Sequence, residues 1–121
     1  MEIHSGEEGV VVSARTLKCA LLLVELTSIP LLVLGLVYLV TGYQLLVPGI
    51  RLVPHARLVH SDRALRVILI AFSTIHGYAG SLILLHRRVK SKQVRGLLEI
   101  IINVVVLSLI IAFTYLELLV K

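Results

Sequence analysis

Three runs of apolar residues, each long enough to cross a bilayer, leave this chain little choice of fold. A spanning helix needs about 20 residues at ~1.5 Å each to match a ~30 Å hydrocarbon core, and it satisfies its own backbone polar groups, which lipid cannot do. The sequence therefore predicts an all-α fold: an integral membrane bundle of three transmembrane helices with a short interfacial segment between the first and second. Spans are expected at about 19–46, 65–86 and 97–119, with a polar segment over 1–16 and a transmembrane domain over 17–121. Composition agrees. Of 121 residues 58% are hydrophobic and 16% charged, where soluble domains sit nearer ~45–50% and ~25%. The expected location is the cell membrane, as a multi-pass protein.

The charge of the chain lies mainly between these runs. The net +5 comes from 12 Lys and Arg against 7 Asp and Glu, a pattern that reads as topology signal and lipid-headgroup contact and not as a nucleic-acid surface. With three spans, Arg15, Lys18, Arg87, Arg88, Lys90, Lys92 and Arg95 share one side, while Arg51, Arg57, Arg63, Arg66 and Lys121 share the other. Seven against five favours a cytoplasmic N-terminus. No basic region precedes the first apolar run, so it does not resemble a cleavable signal peptide. The single Cys19 permits no internal disulfide and reads as a buried thiol. Walker A, GxGxxG and zinc-type Cys/His patterns are absent, and there is no extramembrane domain large enough for the pocket of a soluble enzyme.

Within the runs, the ionisable side chains are few and carry the functional question. His76 falls near the middle of the second span. An imidazole in hydrocarbon must find a metal, a hydrogen bond or a polar cavity, so it is the first candidate site. Gly77 and Gly80 lower the steric wall beside it, and Ser73, one turn earlier, is a candidate to fix its ring. His86 lies ten residues on, ~15 Å along the axis and rotated by about 80° on an ideal helix. The two therefore cannot share one mononuclear metal, but they can serve two groups at different depths. His55 and His60 sit in the interfacial segment, where they either ligate a group near that face or lie wet beside phosphates. Ser61 or Asp62 is expected to cap the following helix.

In the first span, Pro30 is expected to kink the helix and free backbone groups that Thr27 or Ser28 can satisfy. Glu25 has two readings, a proton-relay or quinone-site acid and a carboxyl at headgroup depth. Gly35 and Gly42, seven residues apart, share a face that admits another helix or a flat macrocycle. In the third span, Asn103 and Ser108 are expected to hydrogen-bond between helices.

The pattern His76-x3-Gly80-x5-His86, after a first span ending VTGYQLLVPG, resembles small cytochrome b-like membrane proteins of the three- or four-helix type. A looser similarity exists to the membrane anchors of succinate dehydrogenase and fumarate reductase. The resemblance implies haem b held by transmembrane histidines, here His76 and His86 with His60 a further candidate, and electron transfer between a quinone pool and a partner redox subunit. It also implies a subunit of an oxidoreductase complex in place of a self-sufficient enzyme. Arg87 and Arg88 offer guanidinium partners for haem propionates. Two departures are visible. Neither the first nor the third span holds a histidine, so a second axial ligand for His76 must come from a second copy, a partner membrane subunit or another group; and the anchors' acidic residue after the histidine is replaced by His86, Arg87 and Arg88. Two other classes stay open: a noncatalytic structural or assembly subunit, and a small proton-conducting transporter component using Glu25 and His76.

Overall fold

The computed structural model describes residues 12–120, and every regular element among them is a helix. In chain order these are α1 (Ala14–Leu46), α2 (Ala56–Ser61), α3 (Arg63–Arg88) and α4 (Lys92–Leu119). The fold is all-α as expected, and α1, α3 and α4 are each long and apolar enough to cross a membrane. The helices outrun the expected spans. α1 begins at Ala14 and not near Cys19, and with 33 residues it is ~50 Å long, well beyond a ~30 Å hydrocarbon core. Part of the expected polar segment is thus helical, and its residues 1–11, with His4, lie outside the described residues.

The chain divides into two compact units. One is Leu22–Gly77; the other takes in the described residues up to Leu21 and those from Tyr78 onward. Among the described residues neither holds a large apolar core. The buried side chains among the described residues are Ala20, Ala56, Ala79 and Leu85, together with Thr27 and Thr41; Cys19, expected as a buried thiol, is exposed, and none of the spanning window of α4 is buried. Such a distribution suits helices whose apolar surface is solvated by lipid, where contact is made through small residues and polar pairs.

In the Leu22–Gly77 unit, α1 passes through Pro30 without interruption. The Thr27 hydroxyl donates to the Leu23 carbonyl at 2.6 Å and the Ser28 hydroxyl to the Val24 carbonyl. These acceptors lie three and two residues before the Leu26 carbonyl that Pro30 cannot serve, so the expected repair of the proline site by Thr27 or Ser28 is not what the hydroxyls do. After α1 the chain reverses at Val47–Ile50, where the Ile50 amide donates to the Val47 carbonyl at 3.1 Å and Pro48 occupies the second turn position, with its φ fixed by the ring. The connection is then clamped by one side chain. The Gln44 amide nitrogen donates to the Val53 carbonyl at 2.8 Å, and its oxygen accepts from the Leu52 and Val53 amides at 3.0 and 2.8 Å. Three backbone groups with no helical partner are thereby satisfied. His55 enters α2 in the left-handed region at φ 53°. Asp62, one of the two expected caps, accepts from the Leu65 amide at 2.8 Å and starts α3, while the Ser61 hydroxyl donates back to the Arg57 carbonyl.

In the other unit, α3 ends at Arg88 and α4 starts at Lys92. Ser91 caps α4 by accepting from the Val94 amide at 3.5 Å. The Tyr78 hydroxyl donates to Asn103 Oδ1 at 2.9 Å, which gives Asn103 its expected interhelical bond. Ser108 instead donates to the Val104 carbonyl within its own helix.

Candidate functional site

Two histidines of the Leu22–Gly77 unit are held by the same device. His76 Nδ1 lies 3.0 Å from Thr27 Oγ1, and His60 Nδ1 lies 2.9 Å from Thr41 Oγ1. Each threonine hydroxyl is also bonded to a carbonyl one turn back in α1, Thr27 to Leu23 at 2.6 Å and Thr41 to Val37 at 2.7 Å. A carbonyl only accepts, and a hydroxyl has one proton, so that proton is committed to the helix. The threonine oxygen must then be the acceptor and the imidazole Nδ1–H the donor. The hydrogen bond on one ring nitrogen sets the chemistry of the other. In the neutral ring, at both His60 and His76, that places the lone pair on Nε2.

The threonines that impose this are among the most protected side chains of the chain, Thr41 at 0% and Thr27 at 4% exposure. They are fourteen residues apart in α1, about 21 Å along the axis and within about 40° of one face. One face of α1 thus fixes two imidazoles at two depths. Ser73, the expected partner of His76, is exposed, and Thr27 takes that place from a different helix. The pairing was invisible because nothing local links positions 49 apart in sequence.

The surroundings of the two rings differ. A Cβ placed on Gly77, next to His76, would meet nothing within 4 Å, and the same holds for Gly80 in the other unit. Around His60, a Cβ on Gly42 would sit 3.4 Å from the ring's Cε1, and the Tyr38 ring lies 5.1 Å away, tilted by 48°. Gly35, the other half of the expected small-residue face, has nothing within 4 Å. Gln44, which sequence reasoning passed over, belongs to this site indirectly: by clamping Leu52 and Val53 it fixes the connection that carries α2 and His60 back to Thr41. An amide side chain one helical turn before a Pro-Gly turn was the available signal.

His86, in the other unit, is held differently. Its Nδ1 lies 2.9 Å from the Leu82 carbonyl, and its Nε2 faces Glu99 Oε1 at 3.4 Å, with the two side chains only 10% and 15% exposed. The carbonyl only accepts, so the Nδ1–H is committed to Leu82 while Nε2 lies beside the Glu99 carboxyl. A metal at His86 has to displace Glu99 or Leu82. Arg87 and Arg88 are exposed at the end of α3 in this unit. Glu25 is exposed on α1, and no hydrogen bond or ion pair joins it to His76. Among the described residues no three His, Cys, Asp or Glu side chains gather into a metal-binding group.

No family model matches the chain, and neither a curated protein nor a solved structure matches it.

Proposed function

We propose that this chain is a membrane-embedded electron-transfer subunit in which His76, through Nε2, would hold haem b. The observation that carries the reading is the Thr27–His76 hydrogen bond. A ligating imidazole needs its other nitrogen held by an acceptor, which fixes the tautomer, orients the ring and raises its basicity. Thr27 does this from a buried position, and its own proton is occupied by the Leu23 carbonyl. The open space at Gly77, next to His76, suits a bulky flat group approaching this end of the unit's α3 segment. Haem, when bound, supplies one-electron chemistry, and the chain's contribution is the ligand, its orientation and a low-dielectric setting that tunes the potential. A second copy or a partner redox subunit would complete the binding of the haem, with a quinone as electron donor or acceptor.

A second reading has its own observation. The same Thr27–His76 bond joins α1 to α3, and a noncatalytic assembly subunit would use it as a lock while offering the unburied surface of α4 to a larger complex. One experiment separates the two. The chain is expressed with haem available, purified in mild detergent, and reduced-minus-oxidised spectra are recorded for it and for His76→Ala. The haem reading predicts Soret and α bands that His76→Ala removes and His86→Ala retains. A wild-type chain without bands, destabilised by His76→Ala, contradicts it and supports the assembly role.

A further inference from the structure

We propose that the α3–α4 connection is a binding site for an anionic diacyl phospholipid, with the headgroup held by Arg87, Arg88, Lys90, Lys92 and Arg95. This inference is independent of haem binding.

Five cations fall within nine residues, and four of them, Arg87, Arg88, Lys90 and Lys92, are exposed. Among the described residues their own unit offers few carboxyls against them. Its described carboxyls are Glu99 and Glu117. Glu99 faces His86 at 3.4 Å, and Glu117 lies eighteen residues further along α4, ~27 Å away along the axis. The first turn of α4 holds no acid, so positive side chains accumulate at the positive end of that helix with no carboxyl of that turn to offset them.

Depth identifies the ligand. Only Val89, Lys90 and Ser91 separate two membrane-crossing helices, which pins the cations at the level of the headgroups. The surface next to them on the membrane side is apolar and open: Leu84 is 60% exposed, Leu97 60% and Ile100 63%. A ligand that fits both parts carries a negative headgroup and hydrocarbon chains, which is a lipid and not a soluble phosphate. Long Lys and Arg stems bridge the two regions by lying along apolar surface with their heads in the polar layer. The other connection lacks this arrangement. Arg51, Arg57, Arg63 and Arg66 are spread over sixteen positions with Asp62 among them.

The test is native mass spectrometry of the full chain in detergent, titrated separately with phosphatidylglycerol and phosphatidylcholine, a format in which membrane topology plays no part. Phosphatidylglycerol is expected to bind at least about tenfold more tightly. In Arg87→Gln/Arg88→Gln/Lys90→Gln the preference should fall to within about twofold, while Arg87→Lys/Arg88→Lys, which keeps the charge, should retain it. Excess inorganic phosphate should not displace the lipid. Equal binding of both lipids by the wild type overturns the proposal. So does displacement by phosphate, or a preference that survives the triple Gln variant and is lost in Arg51→Gln/Arg57→Gln/Arg63→Gln. Circular dichroism of each variant confirms that its helices are intact.

Discussion

In the Leu22–Gly77 unit, His60 and His76 each give one ring proton to a threonine, which in the neutral ring leaves the other nitrogen bare; in the other unit, His86 has both nitrogens engaged, by Leu82 and Glu99. The residue type is the same and the chemistry it offers is opposite. A threonine already bonded to its own helix supplies an acceptor and nothing more, so it orients an imidazole while leaving the lone pair for a ligand. A carboxyl opposite the second nitrogen closes the ring off and turns it into a link between α3 and α4. What decides whether a membrane histidine is available for binding is therefore the partner on each ring nitrogen, more than its depth.

The sharpest way to break this comparison is His86→Leu. It leaves the Glu99 carboxyl at 15% exposure without its partner, and should cost about 2–3 kcal/mol, measured by reversible unfolding in mixed detergent micelles. A neutral outcome would mean that His86 is not a link and that its nitrogens are available after all. The Thr–His pairs should respond more mildly. Double-mutant cycles of Thr27→Val with His76→Ala, and of Thr41→Val with His60→Ala, are expected to give coupling energies near ~0.6 kcal/mol and no more than ~1.7. Coupling of zero in either cycle would remove that threonine from the site.

Much of the fold and part of the site were legible in the sequence. Hydrophobic length and lipid physics suffice for three spans, because no other arrangement satisfies so much buried backbone. His76 stood out because a polar ring in a span needs an explanation, and Asp62 and Asn103 found the roles their chemistry implied. The partners of the histidines were not legible. α1 is apolar nearly all round, so hydrophobic periodicity does not reveal which face meets α3. The signal that was present is the fourteen-residue spacing of Thr27 and Thr41, two polar side chains on one face of an apolar helix. Pro30 drew attention to Thr27 for the wrong reason: its hydroxyl serves the helix a turn earlier and the imidazole of another helix. His86 and Glu99 are thirteen residues apart across a chain reversal, and only the register of α3 against α4 brings them together.

The central claim is the tautomer of the two clamped imidazoles, and nitrogen NMR reads it directly. The chain, labelled with ¹⁵N-histidine and kept free of haem in detergent micelles, is observed above the ordinary histidine titration range, with His60→Gln, His76→Gln and His86→Gln used to assign the rings. For His60 and His76 the account predicts a protonated Nδ1 and a bare Nε2, with Thr27→Val perturbing only His76 and Thr41→Val only His60. A proton found on Nε2 of His76, with Nδ1 bare, would contradict it.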